Sequence, residues 1–148
     1  MSTLDPALRA SRHATVMEHM TAENAHEFDR CMAAFSHPRY EIVPTGEIFD
    51  GHDGVGGLLL QNVTAFPDFR FSPGTIHHAE EAVIVEGRFS GTHAGEWRGI
   101  PASGRKIDFP LIIVFTFTGE RMTCERTYFD LMTVLVQLGV APGPASPG

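Results

Sequence analysis

The stretch KIDFPLIIVFTFTGERMTCERTYFD, residues 106–130, decides the fold. Lys106 to Thr118 and Arg121 to Phe129 are extended runs rich in β-branched and aromatic residues, joined by the tight-hairpin pair Gly119-Glu120. Past Asp130 the pattern changes to Leu131, Met132, Val134, Leu135 and Leu138 before Gly139, which reads as a short apolar helix. The third strand is apolar on both sides, Ile112 and Val114 against Leu111, Ile113 and Phe115. One face therefore meets the internal core, and the other is expected to meet a second subunit, giving a homodimer through the sheet.

Upstream, Phe71 to Ala79 and Ala82 to Thr92 read as two more strands. In the second of these, Val83, Val85, Phe89 and His93 share a face with Gly87 and Gly91, while Glu86 and Arg88 share the other. Helices come first in the chain. Asp5-Pro6 opens one with Leu4, Leu8, Val16, Met17 and Met20 as its stripe. Thr21 is expected to cap a second, with Ala25, Phe28, Cys31, Met32 and Phe35 inward, ended by His37-Pro38. A short strand follows at Tyr40 to Val43 and breaks at Pro44-Thr45-Gly46. A third helix opens near Asp53, turns Val55, Leu58, Leu59 and Val63 inward, and stops at Pro67.

Helices followed by a long antiparallel sheet make an α+β domain over residues 1–139, with a Pro/Gly-rich tail at 140–148 expected to be disordered. A curved antiparallel sheet wrapped around the N-terminal helices encloses a cone-shaped cavity, and Gly87 and Gly91 supply the bends.

Composition excludes several functions. A formal net charge of -7 with no basic aromatic patch argues against nucleic acid. The longest apolar run, Pro110 to Phe115, is too short for a membrane, and the charged first twenty residues hold no apolar signal core. A cytoplasmic chain with two reduced thiols, Cys31 and Cys124, is expected. Eight histidines occur without HExxH or paired Cys/His ligand spacing, so no metal site is expected. Gly51-His52-Asp53-Gly54-Val55-Gly56-Gly57 lacks the strand and the Gly-Lys-Ser/Thr ending of a phosphate cradle.

The runs Gly91-Thr92-His93-Ala94-Gly95-Glu96 and Gly99-Ile100-Pro101-Ala102-Ser103-Gly104-Arg105 resemble the GTHxGE…GIPxxGR signature of SnoaL-like polyketide cyclases. Tyr128-Phe129-Asp130, Gln137-Leu138-Gly139 and the Ala65-Phe66-Pro67-Asp68 turn fit as well, so the resemblance spans roughly residues 13–139. It implies the fold shared by nuclear transport factor two and ketosteroid isomerase, a fold that hosts many reactions. It also implies that Asp130 matches the family's catalytic aspartate, partnered by a histidine; by strand phase His93 is the choice, with His77 or His78 weaker. On the family's usual alternation Arg126, Tyr128 and Asp130 share a face with Met122 and Cys124.

The expected activity is cofactor-independent acid/base chemistry on a hydrophobic carbonyl compound, an intramolecular aldol closure or an isomerisation. Asp130 would carry the proton, Arg126 and His93 would assist, and Phe35, Tyr40, Leu59, Phe89, Phe115 and Tyr128 would wall the pocket. Other readings stand beside this one. Asp130 is also a good helix N-cap, His93 a core histidine, Arg126 an ion-pair partner, and Trp97 a pocket lid or a dimer contact. A non-catalytic binding domain, an epoxide hydrolase or a ketosteroid-isomerase-type enzyme would fit the same fold.

Overall fold

The structure, a computed structural model, describes residues 4–143. Its elements in order are α1 (Pro6–Asn24), α2 (Phe28–Met32), β1 (Arg39–Ile42), β2 (Glu47–Asp50), α3 (Gly51–Ala65), β3 (Arg70–His78), β4 (Ala82–Thr92), β5 (Lys106–Thr118), β6 (Arg121–Phe129) and α4 (Leu131–Gln137). The fold is α+β, with one curved six-stranded sheet in the order β2-β1-β6-β5-β4-β3. The last four strands form the expected antiparallel meander. The sheet is not antiparallel throughout, because β1 lies parallel to β6.

Asp5 caps α1 by accepting from the Leu8 N–H at 3.2 Å, with Pro6 in the first turn. Thr21 caps nothing: α1 runs through it to Asn24, and α2 is only five residues long. The inward face of α1 carries Arg12, Val16, His19 and Met20, while Met17 points outward. Arg12 is buried because its guanidinium donates to the carbonyls of Gly119 and Glu80, both at 2.8 Å, and lies over the Phe117 ring. It ties α1 to two hairpin turns of the sheet.

Strand β5 alternates strictly, with Ile107, Phe109, Leu111, Ile113, Phe115 and Phe117 inward. Strand β6 does not. Its pairing with β5 shifts between Thr116 and Phe117, which partner Cys124 and Met122 and leave Thr123 over as a bulge. Beyond the bulge the phase inverts, so Glu125, Thr127 and Phe129 face inward with their partners Phe115, Ile113 and Leu111. The expectation that Arg126 and Tyr128 share the inner face with Met122 is therefore corrected, since a single extra residue turns every later side chain over.

The second short strand, β2, had no sequence signal of its own. It pairs with β1 through the Pro44-Thr45-Gly46 turn and leads directly into α3 at Gly51. Among the described residues no helix is long and apolar enough to cross a membrane. Of the tail, Val140 and Ala141 bond back to the Leu135 carbonyl, and residues 144–148 lie outside the described residues.

A carboxylate cluster in an aromatic cavity

The concave face of the sheet, α1, α3 and α4 enclose a cavity with about 880 Å³ free of protein atoms, its open mouth included. Phe66, Phe71, Phe89, Phe109, Phe129 and Trp97 give it aromatic walls. Its polar groups are few: Glu23, Tyr40, Asn62, Arg98, Glu125 and Thr127. An apolar cavity with a few convergent polar groups is the usual form of a small-molecule site.

Three of these polar groups, Glu23, Tyr40 and Glu125, meet the buried His19 in a cluster of four. Two come from α1, where His19 and Glu23 are one turn apart and project to the same side. Tyr40 and Glu125 arrive from β1 and β6, directly opposite each other in the parallel pairing. His19 Nε2 lies 3.0 Å from Glu125 Oε1, 3.2 Å from Tyr40 Oη and 3.5 Å from Glu23 Oε2. Tyr40 donates to Glu23 at 3.3 Å. His19 Nδ1 faces the Cys31 carbonyl at 2.9 Å, which makes Nδ1 a donor and turns Nε2 toward the acids. Phe35 and Phe115 present ring edges to the imidazole and fix its plane.

The electrostatics follow from burial and from two acids sharing one imidazole. Desolvation, then the nearby Glu125 carboxylate, push the Glu23 carboxyl up to about 7, against the opposing pull of His19 and Tyr40. Burial disfavours a charged His19, yet its hydrogen bonds to Cys31 and Glu125 hold its pKa well above the ordinary value. Desolvation and then the two carboxylates raise the Tyr40 phenol well above its usual range, so it remains a neutral donor. The Cys31 thiol is likewise pushed up by burial. The cluster thus holds a histidine whose charged form is favoured, hydrogen-bonded to Glu125, beside a second carboxyl, Glu23, pushed up to about 7. Glu23 keeps 18% of its side chain exposed. His19, at 0%, is sealed behind it.

Of the residues expected at the site, Tyr40 and Phe89 line the cavity. Phe35, Leu59 and Phe115 are buried in the core behind the cavity wall. Tyr128 is on the outer face, 42% exposed, opposite Ile112. Arg126 donates to Glu41 at 2.7 Å on that same outer side. Asp130 is exposed and caps α4, accepting from the Met132 N–H at 3.1 Å and the Thr133 hydroxyl at 2.7 Å. His93 is buried against Phe66, and its Nδ1 accepts from the Ser103 N–H at 3.2 Å. That bond welds the GTH and SGR segments of the recurring signature together. The Asp68 carboxylate does the same for the turn after α3, accepting from the Thr92 N–H and hydroxyl, each at 2.7 Å.

His19, Glu23 and Glu125 did not stand out as a site in the sequence. The signal available was the spacing His19-x-x-x-Glu23 on the helix face that also carries Val16 and Met20.

A family model described as SnoaL-like polyketide cyclase matches residues 13–138. A search of curated proteins finds no match. Among solved structures, a candidate SnoaL-like polyketide cyclase from Jannaschia sp. CCS1 is similar at 17% identity and a TM-score of 0.80, covering 96% of this chain and 100% of that one. AclR, a candidate hydroxylase from Streptomyces galilaeus, is similar at 21% identity and a TM-score of 0.77, covering 90% and 88%. A protein from Catenulispora acidiphila with a ketosteroid isomerase-like fold, solved with trimethylamine, is similar at 18% identity and a TM-score of 0.71, covering 86% and 93%. At these identities the likeness concerns the fold.

Proposed function

The chain belongs to the SnoaL-like polyketide cyclase family, and from that premise we propose that it is an acid/base enzyme acting without a cofactor on a hydrophobic carbonyl compound, by intramolecular aldol closure or isomerisation. The observation that carries this reading is Glu23, a cavity-facing carboxyl whose pKa is pushed up to about 7. A base is most effective when its pKa lies near the working pH, and such a group contributes about 10²–10⁴-fold.

In this reading Glu23 removes a proton from the carbon next to a carbonyl and returns it to the product carbon or to the new alkoxide. Tyr40 holds one Glu23 oxygen by its hydroxyl and leaves the other for substrate. The His19–Glu125 pair keeps the charge around Glu23 balanced in a desolvated site. The developing enolate oxygen needs donors. Among the described residues the Asn62 amide and the Thr127 hydroxyl line the cavity without a protein hydrogen-bond partner, so both are free to supply them. The proton carrier is then Glu23 and not Asp130, whose carboxylate is used in capping α4.

The test is deuterium exchange into a panel of β-diketones and β-keto esters, followed by NMR. Wild type and Asp130→Asn should both exchange, and Glu23→Gln should lose at least about 100-fold. Exchange that survives in Glu23→Gln would move the base to another residue, and a wild type that never exchanges would leave a binding domain as the better reading.

A further inference from the structure

The β4–β5 connection ends in a two-residue hairpin, Trp97-Arg98-Gly99-Ile100, closed by reciprocal backbone bonds of 3.0 and 2.8 Å. Both central residues have positive φ, Arg98 at 51° and Gly99 at 78°, the signature of a type I′ turn. Asn, Asp or Gly normally occupies the first of these positions, because a larger side chain there costs conformational energy. An arginine held in such a conformation points to use of its side chain. The base of the hairpin is clamped to the end of α3. Ala94 and Gly95 both donate to the Ala65 carbonyl, and a Cβ at Gly95 would fall 2.2 Å from the Thr64 carbonyl oxygen.

This clamp makes Trp97 and Arg98 part of the cavity wall. Among the described wall residues Arg98 is the one cation, facing a cavity whose other charged groups are Glu23 and Glu125. Its guanidinium carbon lies over the Trp97 ring, 5.0 Å from the centroid, a cation–π contact that holds the donors beside the indole. Its ion-pair partner is Glu47 of β2, and both side chains remain partly open to solvent. A half-exposed ion pair contributes little to stability and is readily exchanged. A planar guanidinium with donors to spare matches a carboxylate bidentately.

We propose that Arg98 is a specificity-determining residue that receives the carboxylate of an aromatic or polycyclic keto acid, exchanging Glu47 for the ligand. The inference rests on the cavity being the substrate site proposed above, and it adds that the substrate is acidic at one end and enolisable at the other. Glu23 would meet the enolisable end.

Trp97 is the single tryptophan of the chain, so ligand binding reads out as its fluorescence. The probes are hydrocinnamate and its neutral isostere benzylacetone, titrated into wild type, Arg98→Met, Glu47→Gln and Glu23→Gln. Wild type should bind hydrocinnamate at least about tenfold more tightly than benzylacetone. Arg98→Met should erase that preference and keep benzylacetone within about threefold. Glu47→Gln should tighten hydrocinnamate, because the internal competitor is gone, and this arm stands even if Arg98→Met folds poorly. Absence of the preference in wild type, failure of both probes to bind, or a preference that persists in Arg98→Met would overturn the proposal. Glu23→Gln should keep the preference while losing exchange, so failure of the acid/base reading and failure of the Arg98 assignment give different patterns.

Discussion

Tyr40 and Glu125 face each other across the only parallel strand pairing in the described sheet, and this pairing brings a phenol and a carboxylate to the wall of the cavity. The register does more than align two residues. With β1 parallel to β6, the outward neighbours Glu41 and Arg126 pair with each other on the convex side, 2.7 Å apart. The acid and base groups of this region are thereby sorted into an outer ion pair and an inner cluster completed by His19 and Glu23 from α1. The inner set is desolvated and the outer set is not, which is why Glu23 is raised toward neutrality while Glu41 is held low, chiefly by its hydrogen bond from Arg126.

The cluster makes stability fall as pH rises. Glu23 binds its proton more tightly in the native state than in the unfolded one, so between 4.5 and about 7 the native state carries the extra proton. Raising the pH through that window therefore removes stability, and the raised His19 adds to the same trend as pH climbs through its folded pKa. Glu23→Gln, neutral at every pH, should lose the Glu23 part of the slope and gain on the order of 2 kcal/mol over wild type at pH 8 relative to pH 5. Urea unfolding at the two pH values measures it; parallel slopes for the two proteins would refute the assignment of Glu23.

Asp130 should behave as a cap. Its carboxylate serves the first turn of α4 through Met132 and Thr133. Asp130→Ala is expected to cost about 1 kcal/mol of stability, or about 2–4 °C in melting temperature for a chain of this size. Carbon-acid exchange should be unchanged. A variant of normal stability that has lost exchange would return Asp130 to the chemistry.

The outer sheet face should be where a second copy of the chain binds. Ile112 and Tyr128 are cross-strand partners there, each a little over 40% exposed, with Val114 beside them. Large apolar side chains paired on an uncovered sheet face favour association. Sedimentation at micromolar concentration should give a dimer for wild type and a monomer for Tyr128→Glu, which puts a charge in the middle of that face. A monomeric wild type would end the idea.

The four long strands were legible within a residue because each is a run of nine or more residues rich in β-branched and aromatic side chains and bounded by turn residues, a signal that survives a local break in alternation. The site was less legible for specific reasons. A single bulged residue at Thr123 inverts the phase of the last strand, and nothing in the composition of Arg121 to Phe129 marks it. Reading through the bulge exchanges Glu125 and Thr127 for Arg126 and Tyr128. On α1 the difficulty was of another kind. His19 and Glu23 are polar residues outside the apolar stripe of Leu4, Leu8, Val16, Met17 and Met20, yet His19 is buried beside Val16 and Met20, and Glu23 faces the cavity one turn on. The GTH and SGR residues are tied together by the hydrogen bonds between His93 and Ser103.

Tyr40→Phe distinguishes a tuned base from a carboxyl that is merely buried. The Tyr40 hydroxyl donates to Glu23 Oε2 at 3.3 Å and favours the charged carboxylate, pulling its pKa down against the larger push of desolvation and Glu125. Removing that hydroxyl takes away a stabiliser of the anion and leaves the opposing causes in place, so the Glu23 pKa must move further up. If Glu23 is the base, exchange in wild type should rise with pH and level off above about 7. In Tyr40→Phe the rise should shift to higher pH, with slower exchange at pH 6 and a smaller deficit at pH 9. The comparison is internal to each protein, so a general loss of activity would not imitate it. An inflection that stays in place would mean that the phenol does not touch the group that titrates. One that moves down would mean that the titrating group is the imidazole, whose charged form loses the phenol oxygen 3.2 Å from Nε2 as an acceptor.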